Sequence, residues 1–475
     1  MDLKELKPRR NQAVPIYLQL YRRYREAIAA GKLSAGDRVP SVRSLASELN
    51  LARGTVELAY QMLTSEGYLL ARGPAGTVVS PQLGSLGEPL LHAPARKSSS
   101  KAQSRPRVAT AEPGALQLGL PALDAFPRKT WARLAGRSLR TLDIAAMTAP
   151  DPCGYEPLRR AIATYLGISR GIACTHEQVF ITAGYRGAQE LVCRTLLKTG
   201  DAGWFEDPGY VFARQFLEHM GMRLIPVPVD GEGLNVSIGL QRADDARFAV
   251  VTPTHQSPLG VALSLPRRLQ LLEWANRRQT WIVEDDYDSE FRYHGRPLPA
   301  LKSLDRSGRV LYAGTFSKVL FPGLRLAYLV VPEQQLDRFR ETANQLPGPG
   351  SILPQATVSD FMEQGHFARH LRKMRSLYAA RRGYLTDALA QVFGSQFHVP
   401  LQAGGIHVVA FLNTRQSDKA LVAAANAHGF AVEALSNSRM QRTSRGGLLM
   451  GFTNLATSRQ ALASVQQLKT VLAQR

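Results

Sequence analysis

Cysteine is scarce in this chain. There are three among 475 residues (Cys153, Cys174 and Cys193), and no two are in CxxC spacing. An odd number without paired spacing offers neither a disulfide framework nor a cysteine-built zinc site, so these residues read as small buried hydrophobes. Long apolar runs are missing too. No stretch approaches the roughly 18 residues of a membrane helix, and the opening MDLKELKPRR has no apolar region of the secretory kind. A cytoplasmic protein without a metal site is expected. Acidic charge is the third shortage, with 38 Asp+Glu against 59 Lys+Arg and a net charge of +21. Such an excess favours an anionic partner, nucleic acid first. It amounts to +5 over residues 1–82, +3 over 83–113 and +13 over 114–475, so charge alone locates no binding face.

What is present describes a globular protein: 44% hydrophobic and 20% charged residues over a length that calls for more than one domain. Residues 83–113, LGSLGEPLLHAPARKSSSKAQSRPRVATAEP, are rich in Ser, Pro, Ala and basic side chains and hold no period. They read as a linker, flexible or partly extended. Beyond residue 160, β-rich apolar runs alternate with helical patterns: QVFIT, RFAVVTP, TWIVED, RVLYAGT and RLAYLVV, with segments such as LPRRLQLLEWANRR between them. That alternation predicts an α/β fold with a mostly parallel sheet, here a large domain over 114–366. From Phe367 the pattern turns helical, and two further strands, GGIHVVAFL and GGLLMGFT, predict a smaller α+β subdomain over 367–475.

Ahead of the linker, Ile16, Leu20, Tyr24 and Ala27 recur at helical spacing from Pro15, and Gly31 suits a helix stop. Ser41 suits the cap of a short helix turning Leu45, Ala46 and Leu49 inward. A turn at Asn50–Ala52 leads to a second helix with Val56, Ala59, Met62 and Leu63 on one side. Gly67 ends it, and YLLARGPAGTVVS reads as strand, tight turn and strand. The whole is a winged helix-turn-helix. Arg53, Thr55 and Glu57 stand near the start of the second helix, where a recognition helix meets base edges. Arg43 and Arg72 suit phosphate contacts that position the protein without reading sequence. PSVRSLASELNLARGTVELAYQMLTSEGY resembles the DNA-binding domain of the GntR family over about residues 12–80. Its PS-x-R-x-LA, R-x-TV and AY elements are in register.

Four motifs beyond the linker ask for one cofactor chemistry. In YAGTFSKVLFPGLRLAY, a partly desolvated Lys318 could form a Schiff base with an aldehyde. Thr315, Ser317 and Arg325 suit a phosphate dianion. In WIVEDDYDSEFRY, Asp285 and Tyr287 lie two apart on a strand and face one way. The carboxylate can keep a pyridine nitrogen protonated and the phenol can bond the 3′ oxygen, as pyridoxal phosphate requires. ITAGYRGAQELV places the amides of Tyr185 and Arg186 at a helix N-terminus, an anion site. WFEDPGYVFAR puts Tyr210 in a turn, where it can stack on a ring, and His255 and Gln256 are polar candidates for the lining.

Together these motifs resemble fold-type I pyridoxal-phosphate enzymes of the aminotransferase kind over about residues 115–475. Joined to the head, they make the chain similar to a MocR-type transcription regulator. The resemblance implies Lys318 as the lysine carrying pyridoxal 5′-phosphate, Asp285 as its pyridinium partner and Tyr287 as the 3′ oxygen partner. Thr315, Ser317, Arg325 and the amides near Tyr185 become phosphate ligands. It also implies a domain-swapped homodimer bound to double-stranded DNA and responding to the cofactor or to an amine or amino-acid effector that forms an aldimine. An aminotransferase with a secondary DNA-binding head is the alternative. Departures bear on that choice. Where aminotransferases carry a carboxylate-clamping arginine, ungapped matching puts Leu449, which cannot pair a carboxylate, with Arg214, Arg442 and Arg445 as nearby substitutes. Ser257 replaces the asparagine of the N-P-x-G turn, and Ala327 replaces a glycine.

Overall fold

A computed structural model describes residues 7–8, 14–81, 113–148, 150–295, 298–414, 416–441 and 446–473. The expected linker at 83–113 lies outside the described residues except for Pro113, as do Arg442 and Arg445. The chain forms two compact units, Met1–Val108 and Ala109–Arg475.

In the first unit α1 (Ile16–Ala29) begins after Pro15 and stops before Gly31, whose φ of +70° suits a residue without a Cβ. A two-residue strand β1 (Arg38–Val39) precedes α2 (Val42–Leu49), which Ser41 caps by accepting the Ser44 amide at 3.1 Å. Asn50, left-handed at φ 52°, closes α2 and leads to α3 (Arg53–Ser65). The wing is β2 (Leu69–Ala71) and β3 (Thr77–Val79), with β3 paired antiparallel to both β1 and β2. The core is Leu20, Tyr24, Leu45, Leu49, Val56, Ala59, Tyr60 and Leu63. Met62, expected inward, is only half-buried. Tyr60 is the buried residue on that face because its hydroxyl has partners: Tyr24 at 2.9 Å and the Pro40 carbonyl at 2.9 Å.

The second unit opens with α4 (Arg128–Thr141), α5 (Ile144–Thr148) and α6 (Glu156–Arg170). The sheet then begins. β4 (Val179–Thr182) leads to α7 (Tyr185–Leu196), β5 (Ala202–Asp207) to α8 (Val211–His219), and β6 (Arg223–Asp230) and β7 (Gly233–Leu234) to α9 (Val236–Ala243). β8 (Phe248–Val251), α10 (Leu265–Arg278), β9 (Trp281–Asp286), β10 (Val310–Thr315) and β11 (Ala327–Val330) complete it. The eight strands lie in the order β4-β11-β10-β9-β8-β5-β6-β7, and only β7 and β11 run against the others. The strand ends that carry ligands in such sheets therefore share one edge.

Helices α11 (Leu336–Gln345), α12 (Ile352–Glu363) and α13 (His366–Phe393) follow. A second, four-stranded sheet is built from β12 (Phe397–His398), β13 (His407–Leu412), β14 (Glu433–Ala434) and β15 (Gly447–Gly451), in the order β12-β13-β15-β14. α14 (Asp418–Ala427) and α15 (Ser458–Ala473) cover it. This region shares its apolar core with the large sheet: Leu371, Tyr378, Ala410, Leu448 and Phe452 belong to one cluster with Leu158, Ile162, Ile181 and Tyr328. A second cluster holds Trp204 stacked on Trp274 at 3.8 Å. Burying each such side chain stabilises the fold by about 1.5–3 kcal/mol. Among the described residues no helix is long and apolar enough to cross a membrane.

Candidate functional site

At the shared edge of the large sheet lies a cavity of about 450 Å³. It is lined from the ends of β9 and β10, the loops beside them, α7, α8 and the second sheet. Lys318, Asp285, Tyr287, Tyr185, Arg186, Tyr210, Thr315, Ser317 and Arg325, all named from sequence, reach it. His255 does not line it. The imidazole stands behind the wall, with Nδ1 3.0 Å from the Tyr287 hydroxyl and 3.1 Å from the Asp288 carboxylate.

Strand β9 ends in three consecutive carboxylates, and the alternation of the strand separates their roles. Glu284 accepts the amides of Leu301 and Lys302, each at 2.8 Å. Asp286 is paired with Arg170 at 2.6 Å and accepts the Tyr312 hydroxyl at 2.6 Å. Asp285, pointing the other way, makes no ion pair among the described residues, although its charge acts on the Lys318 amine. The buried Tyr185 hydroxyl leans toward it without closing a regular hydrogen bond. Burial pushes the Asp285 carboxyl up to about 8, opposed by Tyr185 and reinforced by Asp286, Glu206 and Asp288. Nearby on α7, Gln189 is 3% exposed with both amide atoms unpartnered. Buried polar groups left open in this way carry a cost of roughly 1–3 kcal/mol each unless a ligand satisfies them.

The Lys318 amine, on the loop from β10 to β11, donates to the Gly119 carbonyl at 2.8 Å. Burial pulls its pKa below the usual lysine range, against the pull of Asp288, Asp285 and Glu433. A Cβ at Gly119, where φ is +77°, would stand 2.7 Å from the lysine nitrogen. At the other end of the cavity Gly184, φ +80°, caps α7 and leaves room for the Arg325 guanidinium, which a Cβ there would meet at 3.4 Å. Arg325 itself holds a left-handed φ of 51°. With the Thr315 and Ser317 side chains and the first amides of α7, this makes an anion cradle. The donor set fits pyridoxal phosphate: an anion cradle, an uncompensated buried carboxylate for a pyridinium, a phenol, and a buried amine between them.

Leu449 lines the cavity and is 1% exposed. Arg214, a candidate substitute for the clamp, is committed elsewhere, donating to the carbonyls of Arg439 at 2.9 Å and Asn437 at 3.2 Å. Sequence reasoning did not name Leu118, Gly119, Gln189, Phe212, Ile406, His407, Glu433 or Ser438, which also line it. Gln189 and Phe212 sit inside motifs already singled out, whereas the topology delivers the rest from distant segments. In the N-terminal unit Arg43, Arg53 and Arg72 are exposed and Thr55 is half-buried. Arg53 and Thr55 occupy the first turn of α3.

Residues 140–446 match the family described as aminotransferase class I and II, and residues 16–79 match bacterial regulatory proteins of the gntR family. A probable rhizopine catabolism regulatory protein, MocR, of Rhizobium meliloti is 36% identical over 96% of this chain and 94% of its own length. The pyridoxine biosynthesis transcriptional regulator PdxR of Corynebacterium glutamicum is 31% identical over 94% of this chain and 93% of its own. Among solved structures, a multiple substrate aminotransferase from Thermococcus profundus superposes with a TM-score of 0.70. It is 27% identical and covers 79% of this chain and 96% of its own.

Proposed function

The chain belongs to the MocR-type helix-turn-helix transcription regulators, with a gntR-family head and an aminotransferase class I and II body, and from that premise we propose that it holds pyridoxal phosphate at Lys318 and passes the state of that site to DNA. Residues 12–80 bind double-stranded DNA, 83–113 link, and 114–366 with 367–475 form the ligand-binding body of a domain-swapped homodimer. The observation that carries the reading is Asp285, a buried carboxylate without a counter-ion facing a buried amine in one cavity. Bound there, the cofactor supplies an aldehyde carbon that takes up a primary amine, from Lys318 or from an effector.

The chain's own groups divide the remaining work. Asp285 offers its charge to a ring nitrogen, and Tyr287, steadied by His255, offers a phenol to a ring oxygen. Thr315, Ser317, Arg325 and the amides of Tyr185 and Arg186 hold the phosphate, and Tyr210 flanks the ring. Arg53 and Thr55 read bases while Arg43 and Arg72 fix register on the phosphates. The test is affinity for the DNA upstream of the protein's own gene, at one fixed salt, for stripped and loaded protein with and without amines. A shift on loading makes the cofactor itself the signal, and a shift only with an amine makes the amine the signal. No specific DNA binding in any state, with repeated turnover of an amino acid and a keto acid, would replace this reading by the aminotransferase one.

A further inference from the structure

The charged groups of the cavity do not all belong to the cofactor. Arg186, Arg325 and the α7 amides serve the phosphate end, and Asp285 and Lys318 the ring. Glu433 remains. It lies on β14 directly opposite Leu449 of β15, and cross-strand partners in an antiparallel pair project to the same face. A carboxylate and a leucine therefore share the stretch of wall where an α-carboxylate would have to sit. Among the described residues Glu433 makes no hydrogen bond or ion pair, and burial raises its carboxyl against the pull of Lys318. Among the described residues the neighbouring lining adds no positive charge. Ile406 and Phe212 are apolar. His407 Nε2 lies 2.9 Å from the Pro258 carbonyl, and burial holds its imidazole down to about 4, so the ring is neutral. Phe212, which meets Tyr210 edge to face at 5.7 Å, keeps 44% of its surface open and offers a π face to a cation.

An anionic ligand group at this wall would face the half-buried Glu433 carboxylate, and a cation there would complete an ion pair. Resting on the reading that an amine effector enters this cavity, we propose that the effector is a diamine, one amino group directed toward Lys318 and a second, charged one paired with Glu433. The wall so built selects against amines that carry an anionic group, carboxylate or sulfonate.

Calorimetric titration of the full-length, cofactor-loaded protein at one pH and salt tests this with butane-1,4-diamine, butylamine and 4-aminobutanoate. The diamine should bind about 10-fold or more tighter than butylamine, roughly 1.4 kcal/mol, with 4-aminobutanoate weakest. In Glu433→Gln, which keeps the shape and removes the charge, the diamine should fall to the butylamine level. A diamine no better than butylamine, or weaker than 4-aminobutanoate, overturns the proposal on the wild-type protein alone, whatever the variant does. Cofactor uptake is read beside it from the absorbance of the bound chromophore. A chain that takes up no cofactor overturns the parent reading and this one with it, whereas a loaded chain that prefers the amino acid overturns only the diamine.

Discussion

In the N-terminal unit the buried phenols of Tyr24 and Tyr60 bond each other, and Tyr60 also donates to the Pro40 carbonyl. In the C-terminal unit Tyr185, Gln189 and Asp285 crowd one cavity with buried polar atoms left unsatisfied or uncompensated. Among the described residues, every buried side-chain atom without a hydrogen-bond partner lies in the second unit. The difference separates two kinds of binding. The head has finished its interior and presents exposed arginines to an outside partner. The body has left part of its interior open for a ligand to finish.

The comparison breaks most visibly at Lys318. Lys318→Ala should lose the cofactor completely on dialysis, followed by absorbance, and abolish any effect of loading on DNA affinity, while the DNA affinity of the stripped state is unchanged. A fall in that basal affinity would mean that the head depends on the lysine. Conversely, Arg53→Ala should weaken DNA binding by about 10- to 100-fold at fixed salt, the 1–3 kcal/mol of a base-edge contact, with cofactor uptake intact. Fluorescence anisotropy and absorbance on one preparation read both.

Two phenol deletions sharpen it. Tyr60→Phe strips the Tyr24 hydroxyl and the Pro40 carbonyl of a buried partner and should cost about 1–3 kcal/mol in urea unfolding of the head. Tyr185→Phe in stripped protein removes a hydroxyl that closes no regular hydrogen bond and only leans toward Asp285, so the change should stay within about 0.5 kcal/mol. Equal costs at the two sites would erase the distinction.

Asp285 gives a pH signature of the same kind. Its carboxyl is raised to about 8, so the fold accommodates the protonated form, and that contribution is lost as pH rises from about 4 toward 8. Stripped Asp285→Asn should therefore match the wild type near pH 4 and exceed its melting temperature by about 2 °C or more near pH 8. The same variant should bind the cofactor more weakly. A gap between the two proteins that does not widen with pH would show that Asp285 is compensated.

Much of this was legible because it is local. Helix caps at Ser41 and Gly31, the wing turn, and the two-residue spacing of Asp285 and Tyr287 are all written within a few positions. Strand β1 was not legible, since two residues show no period. Strand β6 carries Pro226 and Pro228, which lack the amides a ladder uses and so demote a strand reading. Within the cavity, the Ser-Lys loop and the β9 carboxylates announced themselves by composition. Glu433 and Gly119 did not, for nothing near them in the chain carries the chemistry they join. Sequence singles out Asp285 by its spacing from Tyr287 but does not show why its two neighbours are spoken for. That follows from Arg170 and the amides of Leu301 and Lys302 taking the other two.

The cavity draws its walls from Leu118 near the start of the second unit to Leu449 near its end, with the strand termini of the large sheet between. No partly folded chain can present it, because each wall waits on contacts far apart in sequence whose closure costs entropy before it returns anything. A ligand fitted to all of these walls binds the native state alone and stabilises it in proportion to the logarithm of its free concentration. Occupancy of the cavity is thus a count of completed folds.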